Sequence, residues 1–534
     1  MIFNKLIIKN FKQYKEIELD LSPDLNILCG DNESGKSTIL EAIALVTTGR
    51  FRGKKFESFL SNDIFNVEVV EKYLKSLSTS SKSSPPEIVI ELYANDISEH
   101  AKYKGTNNSK GADVPGVKYL IKFNNHYSDA YKELLKINQI QDIPLEFYHY
   151  EWKNFAESGI NPYSNTVFAS IIDTSQVNNN ILGSYIGQEI KENLSEEDKR
   201  NLGSAYRSIR SRFSEEEALQ RLNKEIAIRT ASIVKNLGIS LVSTTTSEWQ
   251  NELSLSVNFI PFSFLGRGTQ NIIKTNLALG NIPDKTVILL IEEPENNLSF
   301  GNMAKLIGSI TDQNHGKQIF IATHSSFVAN KLGLDKLILL TQKSQRRLSE
   351  LPTETIRYFK KLPNYETLRM VITEKVILVE GSTDELIVQA AYIKRYSKLP
   401  ISDGIDIISV NSLAFKRFCD IATLIDKKIS IITDNDGDIE KNITDKYNDY
   451  KKQITDEIIN IYYDRDENNN TLEDSFLHAN ETKIVELGKL FCKSDNILEY
   501  MKSHKTEWAL RVFERASDFE YPEQINECIN RIKE

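Results

Sequence analysis

The segment Gly30-Asp-Asn-Glu-Ser-Gly35-Lys36-Ser37 constrains the fold more than any other part of the chain. It fits GxxxxGK[ST] without a gap, between an apolar run Leu25–Cys29 (LNILC) and a helix-forming stretch Ser37–Val46 (STILEAIALV). That order predicts a buried strand, a tight turn and a helix N-terminus, the arrangement a phosphate cradle needs. Glycines let backbone N–H groups wrap the phosphates, Lys36 reaches the β- and γ-phosphates, and Ser37 ligates Mg²⁺. Gly30, Asn32, Gly35, Lys36, Ser37 and Thr38 are the expected nucleotide contacts.

A second element belongs with the first. Val287–Ile291 (VILLI) is a β-type apolar run that ends in Glu292 and Glu293, followed by Pro294 and Glu295. Two acids at the end of a buried strand suit Mg²⁺ positioning by the first and water polarisation by the second. Gln318–Thr323 (QIFIAT) predicts another buried strand ending at His324, whose place one strand after the paired acids suits a γ-phosphate sensor.

A different cluster of acids follows residue 370. In Lys375-Val-Ile-Leu-Val-Glu380-Gly381-Ser-Thr-Asp384-Glu385 an apolar strand delivers Glu380, and Asp384 opens the next helix. About 50 residues on, Ile429-Ser-Ile-Ile-Thr433 leads into Asp434-Asn-Asp436-Gly-Asp438. If the sheet is parallel, both strands end on one side and Glu380, Asp434 and Asp436 face one cleft. Clustered carboxylates repel unless cations neutralise them, and hard oxygen ligands select Mg²⁺ or Mn²⁺. A calcium loop at DNDGD is excluded by context, because a buried strand precedes it and no Glu holds the twelfth position.

At 534 residues the chain predicts two to four domains, and 40% apolar with 26% charged residues describes an ordinary soluble protein. No apolar run reaches the length of a membrane span, and the charged N-terminus is not a signal peptide. Cys29, Cys419, Cys492 and Cys528 lie far apart without a CxxC pair, which argues for a reducing, cytoplasmic compartment. The net charge of −9 leaves nucleic-acid contact to local basic clusters. Candidates are Arg50, Arg52, Lys54 and Lys55; Arg207, Arg210 and Arg212; and Lys343, Arg346 and Arg347. Ser76–Pro86 reads as a surface loop or a disordered insert, and 184–240 as a charged helical insertion, either a dimerisation hairpin or an arm.

GDNESGKST, LLIEEPENNL and IATHSS together resemble the ABC-type ATPases of the SMC and RecF group. Leu265-Gly-Arg-Gly-Thr-Gln270 sits where that group carries its signature motif, with Gly266, Gly268 and Gln270 matching loosely; the first strand-end acid is Glu292 where the group has Asp. In that group one subunit's signature completes another's ATP site, so the resemblance implies a homodimer at least, with a tetramer as the larger option. Strand–EG and strand–DxD resemble the Toprim domain. With Thr471-Leu-Glu473-Asp474 and Lys505-Thr-Glu-Trp-Ala-Leu510 behind them, nearly the whole chain resembles the overcoming-lysogenisation-defect (OLD) nucleases. That resemblance implies Glu380, Asp384, Asp434, Asp436 and Glu473 as carboxylates for two metal ions and Lys505 as a transition-state cation; Asp384 stands where the family often has Glu.

The expected architecture is α/β: an ABC/SMC-like P-loop head over 1–165 and 251–368, a helical dimerisation insertion over 166–250, and a Toprim domain over 369–534. The expected activity is ATP-regulated, Mg²⁺- or Mn²⁺-dependent cleavage of DNA in antiphage defence. A helicase, or a retron reverse transcriptase with its RNA–DNA product, is the expected system partner. The competing reading is a RecF-like DNA-binding clamp whose Toprim part does not cut.

Overall fold

The structure is a computed structural model. It describes residues 1–30, 33–78, 83–137, 140–161, 168–173, 194–230, 239, 255–280, 287–296, 298–312, 316–325, 328, 332–333, 336–340, 345–361, 369–371, 373–410, 414–491 and 496–533. Among them no helix is long and apolar enough to cross a membrane.

The chain opens on an antiparallel sheet. Strands β1 (Phe3–Phe11), β2 (Tyr14–Asp20), β4 (Ile88–Ala94), β5 (Lys104–Gly105) and β6 (Val114–Phe123) lie in the order β2-β1-β4-β6-β5, and β7 (Tyr148–Asn154) pairs with β6. In β1, Phe3, Leu6, Ile8 and Phe11 are buried in the core beside α1, and Ile7 is buried in a smaller cluster with Tyr93 and Phe155. A second sheet follows the order β14-β13-β3-β12-β11-β8, from β3 (Leu25–Gly30), β8 (Phe168–Asp173), β11 (Val287–Glu292), β12 (Lys317–Thr323), β13 (Leu337–Leu340) and β14 (Gln345–Arg347). All its pairings are parallel except the β13–β14 hairpin. Its central strands are continuous apolar runs because helices or sheets cover both faces.

The period of two divides this parallel sheet between two cores. Leu28, Ile288, Leu290, Phe320, Ala322, Ile338 and Leu340 face the helix α1 (Lys36–Thr48) and the antiparallel sheet. Each large aliphatic side chain of α1 buried there, such as Ile39 or Leu45, contributes about 1.5–3 kcal/mol. On the other face Ile27, Cys29, Leu289, Ile291, Ile319 and Ile321 join a core that runs on through Met370 and Val376 to Phe415, Ile429 and Ile459. The head and the C-terminal domain therefore share one hydrophobic core.

That C-terminal domain is a four-stranded, wholly parallel sheet in the order β16-β15-β17-β18, from β15 (Lys375–Val379), β16 (Ile405–Ser409), β17 (Ile429–Ile432) and β18 (Ile459–Tyr462). Polar contacts reinforce the shared core. Arg417 on the helix Phe415–Ile425 donates to Glu354 at 2.9 Å and to Thr355 Oγ1 at 3.1 Å, both on the helix Thr353–Lys361.

One domain boundary moves. Phe168–Asp173, assigned from sequence to the helical insertion, is an edge strand of the head, paired residue for residue with Val287–Glu292. The insertion's described helices are Glu196–Glu215, entered by a Ser195–Asp198 capping box, and Glu217–Thr230. Short strands β9 (Ser256–Val257) and β10 (Ile260–Pro261) form a hairpin after it.

Candidate functional site

The phosphate cradle folds as the motif requires. α1 begins at Lys36 behind Gly35, whose φ of 93° is a left-handed conformation that suits glycine. Space forbids a side chain as well: a Cβ on Gly35 would lie 2.1 Å from the Tyr14 hydroxyl and 2.3 Å from Gln13 Nε2. Those two side chains lean over from the β1–β2 turn to catch outward carbonyls of the loop. Tyr14 donates to Ser34 O at 2.9 Å and Gln13 to Glu33 O at 3.0 Å. Burial pushes the Tyr14 phenol above its usual range, so it stays a donor. Lys36 is buried, with Nζ 2.9 Å from Gly30 O and 3.2 Å from Ser34 Oγ. Thr38 is buried in the first turn of α1, while Asn32 lies outside the described residues.

The strand-end acids meet this loop. Ser37 Oγ donates to Glu292 Oε1, which joins the two residues expected to share Mg²⁺ across 255 positions of sequence. Glu293 follows in a left-handed turn (φ 46°), 3.6 Å from His324 Nε2, and it accepts from Asn296 Nδ2 at 2.6 Å. Glu295, to which the sequence reading gave no role, ties the neighbouring strand ends together. Its Oε1 accepts from Thr323 Oγ1 and from the His324 and Ser325 amides at 2.8–3.0 Å. Its other oxygen is buried without a hydrogen bond.

At the signature-like segment Gly266 precedes the helix Arg267–Gly280, whose first turn holds Gly268. A Cβ at Gly266 would meet nothing within 4 Å among the described residues. Gln270 is buried, and its Nε2 donates to Phe262 O at 2.8 Å and Leu265 O at 3.0 Å. Its amide thus shapes the turn of its own chain. The same helix reaches the acid-bearing loop through Asn271 Nδ2 on Asn296 O at 3.2 Å.

In the C-terminal sheet β15 and β17 are parallel neighbours, so Glu380 and Asp434 leave it on the same side. Glu380 Oε1 accepts from Thr433 Oγ1 at 2.7 Å and from the Asp434 amide at 3.2 Å. Asp384 accepts the Gly381 amide at 3.1 Å as its helix begins. Glu473, on the helix Leu472–Ala479, is 2% exposed. Burial, then the charges of Asp384, Glu380, Glu473 and Asp436, push the Asp434 carboxyl up to about 9. Asp384 rises to about 7 by burial and by Glu380, with a smaller effect of Glu473. All five expected acids are thus in electrostatic reach of one another's cluster. Among the described residues, however, no three acidic, histidine or cysteine side chains close on one point as a finished ion cage, and Asp436 is exposed. The all-oxygen, like-charged donor set fits a hard divalent cation.

His504 interrupts the helical run, and Lys505 starts a new helix (Lys505–Phe513) as an exposed residue. Lys502, on the preceding helix Ile497–Ser503, is the lysine that reaches the Glu473 element, with Nζ 3.0 Å from Asp474 Oδ1. The basic clusters also divide. Arg347 is held inside the head by Ser22 Oγ at 3.0 Å and by Asp20 O, and Arg52 pairs with Glu41 at 2.5 Å. Lys343 lies outside the described residues.

Two family models match the two parts of the chain. Residues 1–329 match the family model of the AAA ATPase domain, and residues 373–436 match that of the overcoming lysogenization defect protein-like TOPRIM domain. The endonuclease GajA of Bacillus cereus strain VD045 is 24% identical over 475 residues, 82% of this chain and 75% of that protein. The DNA replication and repair protein RecF of Haemophilus ducreyi is 42% identical over 66 residues, 12% of this chain and 17% of its own. The SMC head domain from Thermotoga maritima overlaps 64% of this chain and 95% of its own at 12% identity and a TM-score of 0.29. With well over half of its length matched to the ATPase model and the TOPRIM match behind it, the chain belongs to the AAA ATPase-domain family as an ATPase–TOPRIM protein of the OLD type.

Proposed function

We propose that this protein is a divalent-metal-dependent DNA endonuclease gated by ATP. The observation that carries the reading is the gathering of Glu380, Asp384, Asp434, Asp436 and Glu473 beyond the strand ends of one parallel sheet, with Asp434 held far above its ordinary range. Such a cluster stores repulsion that cations release. Two bound Mg²⁺ or Mn²⁺ ions would supply water activation and stabilise the leaving oxygen of a phosphodiester. Glu380 is oriented for this by Thr433, and Asp384 by the Gly381 amide. Lys505, free of an ion pair among the described residues, takes the transition-state cation role by resemblance to the OLD family, Lys502 being committed to Asp474. The similarity to the endonuclease GajA supports the same reaction class.

ATP would seat on Gly30, Gly35, Lys36, Ser37 and Thr38, with Mg²⁺ between Ser37 and Glu292. Glu293, backed by His324, would orient the attacking water. The open space above Gly266 leaves room for a nucleotide carried by a second copy, in keeping with a homodimer. The OLD resemblance extends the reading to an antiphage effector that works with a helicase or a retron partner.

Purified protein is incubated with plasmid and Mg²⁺ or Mn²⁺, with and without ATP. Metal-dependent nicking or linearisation that Asp434→Ala abolishes is the expected result. If neither metal supports cleavage under any nucleotide condition, the RecF-like clamp with a non-cleaving TOPRIM domain replaces this reading.

A further inference from the structure

One residue amid the acids carries no charge. Asn435 separates Asp434 from Asp436 and is 1% exposed. Its Nδ2 donates to Asp464 O at 2.9 Å and Asp466 O at 3.0 Å, with Asn469 O at 3.4 Å. Its Oδ1 accepts the Gly437 amide at 2.8 Å, an Asx turn that sets Asp436 (φ 50°) and Gly437 (φ 73°) in left-handed conformations. Two further bonds close the same seam: the Asp436 amide donates to Asn470 O, and Asn442 Nδ2 donates to Asn435 O, both at 3.1 Å. The gripped segment, 464–470, runs directly into Thr471, which caps the helix carrying Glu473.

We infer that Asn435 is a positioning residue, a neutral clasp that fixes Asp434 and Asp436 relative to Glu473. The argument is one of geometry and charge. Glu380 and Asp434 are aligned by adjacent strands, but Glu473 stands on a helix that no ladder ties to them. Acids that repel one another drift apart unless something between them holds. The residue between them must donate to carbonyls on one side and accept an amide on the other, in a buried place where an added charge is costly. Asparagine meets all three demands. Aspartate would aim a charged acceptor at three carbonyls, and alanine would take the Asn435 donor from all three, leaving Asp466 O with the Asn469 amide alone.

This inference rests on the metal-site reading proposed above, and the test separates the two. Full-length Asn435→Ala and Asn435→Ser are compared with wild type and Asp434→Ala. Serine keeps an acceptor near the Gly437 amide but loses the donors to 464–470, and ATP binding by the head reports folding of each variant. Two quantities are read: the Mn²⁺ concentration for half-maximal plasmid cleavage, and the Mn²⁺-induced rise in melting temperature without nucleotide. Both Asn435 variants are expected to need about 10–100-fold more metal in each assay. Cleavage at saturating Mn²⁺ stays within about threefold of wild type, because the ligands themselves remain. If both variants keep the wild-type metal dependence while Asp434→Ala loses cleavage and the thermal shift, the clasp is overturned and the metal site stands. If Asp434→Ala responds to metal as wild type does, the site reading falls and the clasp falls with it.

Discussion

The two candidate sites of this chain are assembled by opposite means. The core of the nucleotide site is one local motif, the strand β3 followed closely by the helix α1, to which folding brings Glu292. The TOPRIM site gathers its acids from three segments, and like charge pushes those acids apart. A phosphate cradle made from backbone comes with the loop's own conformation and needs little support beyond Tyr14 and Gln13 leaning on its outer carbonyls. A carboxylate cluster needs parallel strands, oriented hydroxyls and neutral amides around it before it can meet a cation. Motifs of the first kind survive as written words in a sequence; sites of the second kind exist only after folding.

Four measurements sharpen or break this contrast. Asp434→Ala is expected to lower cleavage by about 10³-fold or more while ATP affinity is unchanged, by nuclease assay and nucleotide titration. Loss of both would mean that the sites cannot be separated. Next in size, Lys36→Ala removes a charged contact to the phosphates and is expected to weaken ATP binding about a hundredfold, with metal-supported basal cleavage retained. Tyr14→Phe deletes one neutral hydrogen bond to the loop and is expected to weaken ATP binding about fivefold without altering the metal requirement. An unchanged affinity would show that the cradle needs no external brace.

The smallest effect concerns stability. A carboxyl held up to about 9 destabilises the folded state at every pH above the ordinary range near 4. Asp434→Asn removes that cost, the larger part of it from burial and the rest from neighbouring acids, so metal-free protein near pH 7.5 is expected to melt roughly 2 °C higher than wild type. The gain should vanish when Mn²⁺ is added, since the wild type then gains more. A lower melting temperature would indicate that Asp434 is held by donors rather than strained by neighbours.

Much of the fold was legible because its signals are local. LNILC, VILLI and QIFIAT are continuous apolar runs that only a strand covered on both faces accommodates, and each became one. The acids at the ends of β15 and β17 were readable for the same reason. Phe168–Asp173 was not, because a short edge strand just ahead of a long charged helical stretch takes its identity from the partner β11 rather than from its own pattern. Lys505 enters as a cation by resemblance alone, and the ion pair of Lys502 with Asp474 is a contact that the sequence does not announce. Gln270 reads as a ligand by its place in a motif, yet its amide is spent on Phe262 and Leu265. Asn435 carries no signal at all, since a middle residue of DxD is free to vary in the pattern.

What the sequence determined by itself is a P-loop behind a buried strand and two later strands that end in the acids Glu380 and Asp434. Those features follow from side-chain period and backbone freedom over a few neighbouring residues. What only the tertiary structure decided is which groups meet. Ser37 finds Glu292 across 255 positions, the head and the TOPRIM sheet share one core, and Asn435 grips a loop some thirty residues further along. Such contacts depend on how strands stack and cross, and no local period records that.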